Sequence, residues 1–148
     1  MNLDPSLESM FVEQMNREFS NLLAYEALEA PLKAANWDGC AKFFHKSGQD
    51  EFQHYEKFND FLVDRNATPR FVAVPQPITG TTDPLYAFES ALSLETENTG
   101  HIKELSVACE NAEDEDACLW LAWALEEQRK SERELIDIAL QMLFADAV

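Results

Sequence analysis

Only four glycines and six prolines occur in 148 residues, and three of the prolines fall in one stretch, so little interrupts long helices. Positive charge is scarce too: 11 Lys+Arg face 28 Asp+Glu, for a formal net charge of −17. Such a surface repels nucleic acid and anionic membranes, so neither is expected as a partner, and it attracts cations. The cysteines, Cys40, Cys109 and Cys118, are odd in number and show no C-x-x-C pairing, which speaks against a disulfide scaffold and for a reducing, cytoplasmic setting. There is no apolar run long enough to span a bilayer, and the opening MNLDPSLESM lacks the basic and apolar regions of a signal peptide. What is present is core material. Hydrophobic residues make up 46% and aromatics 11%, enough for one domain over residues 1–148.

Asp4-Pro5 sets an N-cap before a proline at the first helical position, and the helix it opens is expected to reach about Ala35. Asn36 to Gly39 form a short turn, with Asp38 expected to cap a second helix running to about Arg65. Asp83-Pro84 repeats the start signal for a third helix, which ends in the acidic stretch Glu113 to Asp116, and a fourth runs to about Phe144. The segment NATPRFVAVPQPITGTT, between the second and third helices, is too long for a tight turn. Short turns make the first pair and the last pair antiparallel, while the long segment can cross the whole length of a bundle. The expected fold is all-α, a four-helix bundle with one long crossover. Pro31 and Gly100 break the local helix rule, and Pro31 is expected to kink or end the regular part of the first helix.

Each helix carries an apolar seam stepping by three and four residues, and in each a polar residue interrupts it. The seams are Phe11, Met15, Glu18, Leu22, Tyr25, Leu28; then Phe44, Ser47, Glu51, His54, Phe58, Phe61; then Leu85, Phe88, Leu92, Glu95, Thr99, Ile102; and last Leu121, Leu125, Gln128, Ser131, Leu135, Ile138. Glu18 and Glu51 each lie 13 residues past their helix starts, Glu95 lies 11 past Pro84, and Gln128 lies 12 past Asp116. At a rise of about 1.5 Å per residue all four sit roughly 16–20 Å along their helices, near the middle. Up or down, they meet at one level.

Three glutamates converging in an apolar interior would cost several kcal/mol each, in order-of-magnitude terms, if left ionised and unpaired. No Lys or Arg lies on the seams at that level; Arg17 and Arg129 are each one residue off it. A bound cation is the simplest compensator, and carboxylates with one imidazole suit iron or manganese better than zinc. Glu51-Phe52-Gln53-His54 is an E-x-x-H, which puts carboxylate and imidazole one turn apart on one face. Alone it is a weak signal; the four coincident interruptions carry the argument.

At these residues the chain resembles the non-haem ferritins of prokaryotic type. Met15-Asn16-Arg17-Glu18 with Tyr25 resembles the family's first-helix signature, and Gln49-Asp50-Glu51-Phe52-Gln53-His54 its second. Thr68-Pro69-Arg70 resembles the crossover, and Trp123 with Glu127-Gln128 the fourth helix. The resemblance implies a ferritin-like fold and a di-iron ferroxidase centre oxidising Fe²⁺ with O₂ or hydrogen peroxide. Glu18, Glu51 and His54 would bind one iron, Glu51 would bridge to a second held by Glu95, and Gln128 would lie beside it. Tyr25 would be a hydrogen-bond donor and one-electron donor. It further implies a homo-oligomer, a 24-subunit cage around a mineral core, with Asp50 and Glu56 as candidates for guiding iron and Glu113 to Asp116 for lining an entrance.

The departures bear on detail. Bacterioferritins repeat the E-x-x-H on the fourth helix, where this chain has Gln128-Arg129-Lys130-Ser131, and Phe52 stands where their haem-ligating methionine is expected, so no haem is expected. Lys130 and Ser131 replace acids of a third iron site, leaving Glu127 and Asp50 as its candidate ligands. The short fifth helix of most ferritins is expected to be missing. Two other readings remain: a ferritin-like di-iron redox enzyme without mineral storage, and a metal-free helical bundle that binds a partner.

Overall fold

The computed structural model describes residues 2–75 and 79–146. Helix α1 spans Pro5–Ala34, α2 Asp38–Asp64, α3 Pro84–Asn111 and α4 Glu115–Asp146, and no strand occurs among the described residues. This is the all-α bundle with one crossover that the periodicity implies, and no fifth helix occurs among those residues.

Start signals work as expected at two helices. Asp4 accepts from the Ser6 and Leu7 N–H groups, and Asp83 accepts from Leu85, each before a proline at the first position. At α2 the expectation fails: Trp37 is the N-cap and makes no side-chain cap, while Asp38 is already helical. There Asp38 acts through its charge near the positive end of the helix. Helices α1, α2 and α3 end alike, with Asn36, Asn66 and Glu113 at positive φ. In each case the next residue's N–H reaches back to the helix: Trp37 to Leu32 O, Ala67 to Leu62 O, Asp114 to Cys109 O. That is the Schellman closure, with asparagine or glutamate in the place glycine usually takes. The α3–α4 turn is further pinned by Asp114, which caps the Ala117 N–H and pairs with both arms of Arg65 at 2.7 and 3.2 Å.

Pro31 does not end α1, which continues to Ala34. Having no N–H, Pro31 leaves the Ala27 carbonyl without its usual helical donor. Gly80, in the crossover, lies against that defect: a Cβ added there would stand 2.6 Å from Ala27 O and 2.6 Å from Pro31 Cγ. Earlier in the same connection Asn16 holds the chain from both sides, donating to Arg70 O at 2.9 Å and accepting from Val72 N at 3.2 Å. The described parts of the crossover thus meet α1 at Asn16 and again at Ala27, positions about 16 Å apart along the helix at 1.5 Å per residue.

Polar residues divide the core into two apolar clusters. One contains Phe11, Met15, Phe58, Phe61 and Leu121, with Trp120 stacked on Phe61. The other contains Tyr25, Leu28, Phe44, Phe88 and Leu135. Between them lies the layer of Glu18, Glu51, His54, Glu95 and Gln128, all buried. Leu22, Leu92 and Leu125, assigned to the seams, are only half-buried.

Gly80→Ala is expected to destabilise the protein by about 1–3 kcal/mol, because the added methyl meets the Ala27 carbonyl and the Pro31 ring, neither of which can swing aside. Chemical denaturation measures this, and an alanine variant as stable as the parent would show that the crossover does not rest on the Pro31 defect.

Candidate metal centre

The four helices bring the interrupting residues together as their depths require. Glu18 comes from α1, Glu51 and His54 from α2, Glu95 from α3 and Gln128 from α4. Glu18, Glu51 and His54 each offer one ligand atom, all within 4.8 Å of one another and all buried. His54 Nδ1 faces the cluster, 3.6 Å from Glu51 Oε2 and 3.8 Å from Glu18 Oε2. Its other nitrogen, Nε2, looks outward to Glu127 Oε2 at 3.8 Å, the usual arrangement for orienting a metal-binding imidazole. Glu18 Oε2 and Glu51 Oε2 are buried with no hydrogen-bond donor. Two orphaned oxygens aimed at one imidazole nitrogen are what a cation would satisfy.

Glu95 sits across from Glu51 with different partners. Tyr25 donates its phenol proton to Glu95 Oε1 at 2.5 Å, and Gln128 donates to Glu95 Oε2 at 2.9 Å. A cavity of about 40 Å³ opens beside Glu51 and Glu95, lined also by Tyr25, Asp50, Glu127 and Ser131. Asp50 lies on its rim, paired with Lys46 at 3.4 Å, and Glu127 is contacted by Lys130 at 3.7 Å. Glu56 is exposed and faces a separate depression with Leu22 and Phe52. The acids at Glu113 to Asp116 line a surface recess at the α3–α4 turn together with Arg65.

Sequence periodicity missed two residues of this layer. Gln14 and Asn98 are both buried, with Gln14 donating to Glu18 Oε1 at 3.1 Å and to Asn98 Oδ1 at 2.8 Å. Each sits one residue off the seam of its helix, next to Met15 and Thr99 respectively. A second count at the i−4 and i+3 neighbours of the interrupting glutamates would have found them. Glu132 is a further addition, half-buried and accepting from Thr96 and Thr99.

The protonation of the layer follows from burial and crowding. Burial pushes the Glu51 carboxyl well above the usual range, and the Glu18 and Glu95 carboxylates push it further. For Glu18 burial acts upward, but contacts from Glu51 and His54 outweigh it and hold the group below its usual value. Burial disfavours the His54 imidazolium, yet Glu18 and Glu127 overcome it and raise the pKa. Glu95 is raised by burial in spite of its donors, and the Tyr25 phenol is raised well above 10.0 by burial and by Glu95. Burial and crowding thus favour the protonated forms of Glu51, His54 and Glu95 when no cation is bound.

The ferritin family, described as a ferritin-like domain, matches residues 9–142. A bacterial non-heme ferritin from Staphylococcus saprophyticus is 32% identical over 130 residues, 88% of this chain and 78% of that protein. One from Staphylococcus haemolyticus is 30% identical over 120 residues, 81% of this chain and 72% of that protein. Among solved structures, an open pore ferritin from Archaeoglobus fulgidus superimposes with a TM-score of 0.94 at 23% identity, covering 97% of this chain and 88% of that one. At that identity the likeness speaks for the fold. No described helix is long and apolar enough to cross a membrane.

Because the raised pKa values of Glu51 and His54 favour protonated forms that a cation must displace, divalent metal binding is expected to release protons and to weaken as pH falls. Below the raised pKa of each group, affinity should drop about tenfold per pH unit for each proton displaced. Calorimetric titration with Co²⁺ in buffers of different ionisation enthalpy measures the release, and a buffer-independent heat would contradict it.

Proposed function

The chain belongs to the ferritin family, and from that premise we propose that it is the ferroxidase and iron-storage subunit of a non-haem ferritin. The observation that carries this reading is the pair of orphaned carboxylate oxygens, Glu18 Oε2 and Glu51 Oε2, buried beside His54 Nδ1. Iron is the substrate. One Fe²⁺ would be taken by Glu18, Glu51 and His54, and a second between Glu51 and Glu95, with Glu51 shared. Each Fe²⁺ gives up one electron. One O₂ with two electrons and two protons gives hydrogen peroxide, and one peroxide with two more of each gives two waters.

The residues supply binding and charge. Anionic oxygen ligands stabilise Fe³⁺ over Fe²⁺, so the carboxylates lower the cost of oxidation as they hold the ion. His54, fixed from behind by Glu127, keeps one nitrogen aimed inward. Tyr25, hydrogen-bonded to Glu95, lies within reach of the second position and is the candidate for a further one-electron donor. Asp50 and Glu127, on the rim of the cavity, are candidates for passing iron onward to a mineral core enclosed by a 24-subunit homo-oligomer in the cytoplasm. The cavity, about 40 Å³, has room for ions and water, which suits a centre whose substrate is iron.

Rapid mixing of the metal-free protein with Fe²⁺ and O₂ tests the reading. Glu51→Ala combined with His54→Ala should slow oxidation by at least about tenfold, as loss of metal ligands does elsewhere. An unchanged rate in the double variant would remove the centre from the reaction.

A further inference from the structure

Two of the three cysteines meet at one end of the bundle, away from the metal centre. Cys109 lies in the last turn of α3, about 21 Å along the helix from Glu95, and Cys118 lies in the first turn of α4. One residue between them serves both backbones. Asp114 N–H donates to Cys109 O at 3.1 Å, and Cys118 N–H donates to Asp114 O at 3.0 Å. Both arms of Arg65 hold Asp114 in place. Cys109 is fully buried in the apolar cluster at that end, and Cys118, half-buried, packs against the same cluster. The two side chains are close enough for the Cys118 thiol to act as a hydrogen-bond partner of Cys109. Cys40 packs with the opposite cluster.

The two thiols differ in what can reach them. Cys118 borders a surface depression lined also by Glu110, Glu113, Asp114, Glu115 and Leu119. Burial, and the charge that Cys118 would carry, push the Cys109 thiol up to about 12, so near neutral pH it is protonated and does not begin a reaction. The acids around the depression repel anionic oxidants such as glutathione disulfide, while a small uncharged oxidant passes them. Hydrogen peroxide is of that kind.

We propose that Cys109 and Cys118 are a peroxide-oxidised dithiol that closes reversibly into a disulfide between α3 and α4. The Cys118 thiolate attacks one oxygen of hydrogen peroxide: an S–O bond forms, the O–O bond breaks, and the leaving hydroxide takes a proton to become water. Cys109 then attacks the sulfur of the resulting sulfenic acid. The S–S bond forms, the S–O bond breaks, and the departing hydroxide carries off the Cys109 proton as a second water. Two thiols lose two electrons and one peroxide gains them. A partner already in place closes the bond before a second peroxide carries Cys118 to the irreversible sulfinic acid. Reversal takes two electrons from a thiol reductant, so in a reducing compartment the pair rests open and the bond forms under oxidant. No bound metal enters these steps, and the inference stands apart from the centre.

The test is hydrogen peroxide added to the full-length, reduced protein in its native state, with a chelator present to remove iron. Thiols titrated after denaturation should fall from three per chain to one. The oxidised chain should still migrate as a monomer without reductant. Cleavage after Glu110, Glu113 and Glu115 should leave the Cys109 and Cys118 fragments joined, and dithiothreitol should separate them. Glutathione disulfide at the same concentration should form the link at least about tenfold more slowly. In Cys109→Ala, dimedone should trap Cys118 as its sulfenic acid. In Cys118→Ser, the Cys109 thiol should survive peroxide at least about tenfold longer than in the parent. The proposal is overturned if the fragments are not joined, or are joined only between chains. It is overturned equally if glutathione disulfide acts as fast as peroxide, or if Cys109 is lost as fast in Cys118→Ser as in the parent. Should Cys109→Ala not fold, fragment mapping of the parent protein still decides.

Discussion

Three carboxylates, Glu18, Glu51 and Glu95, share one layer of the bundle interior with a single imidazole and no lysine or arginine in their midst. Unpaired buried charge of this kind costs several kcal/mol in order-of-magnitude terms, so the layer must hold protons or a cation. The rest of the arrangement is organised around that constraint. Apolar clusters close the layer off above and below, with Phe11, Phe58 and Trp120 on one side and Phe44, Phe88 and Leu135 on the other. Donors are rationed within it. Tyr25 and Gln128 serve Glu95 and Gln14 serves Glu18, while the facing oxygens of Glu18 and Glu51 receive none.

Much of this was legible from residue spacing because a helix converts sequence distance into depth and direction. The interruptions at Glu18, Glu51, Glu95 and Gln128 stood out against otherwise apolar seams, and one crossover was enough to bring them to one level. Gln14 and Asn98 were not legible in that way. Each lies one residue beside its seam, where a polar side chain is ordinarily a solvated one, and only the close approach of α1, α3 and α4 buries them. Spacing also misplaced Leu22, Leu92 and Leu125, whose neighbours Asn21, Ala91 and Ala124 take the inward positions.

At the helix ends the failures have separate causes. Asp38 looked like a cap because aspartate favours that role, but the Schellman closure turns the Trp37 N–H back to Leu32 O, and Trp37 O then accepts from Ala41 N, so α2 begins one residue sooner. Pro31 had no explanation in the sequence, since its partner is Gly80, forty-nine residues away in the crossover. A long-range contact of that kind leaves no local periodic trace. The same crossover, tied to Asn16 at one point and seated on Pro31 at another, fixes how α2 and α3 are joined and so which faces meet at the centre.

Crystals grown without oxygen and soaked in Fe²⁺, measured at the iron absorption edge, test most directly whether this layer holds iron. The account predicts two anomalous peaks in the middle of the bundle. The stronger should lie among Glu18, Glu51 and His54, and the weaker between Glu51 and Glu95. Peaks confined to the acidic surface, with the buried layer empty, would contradict it.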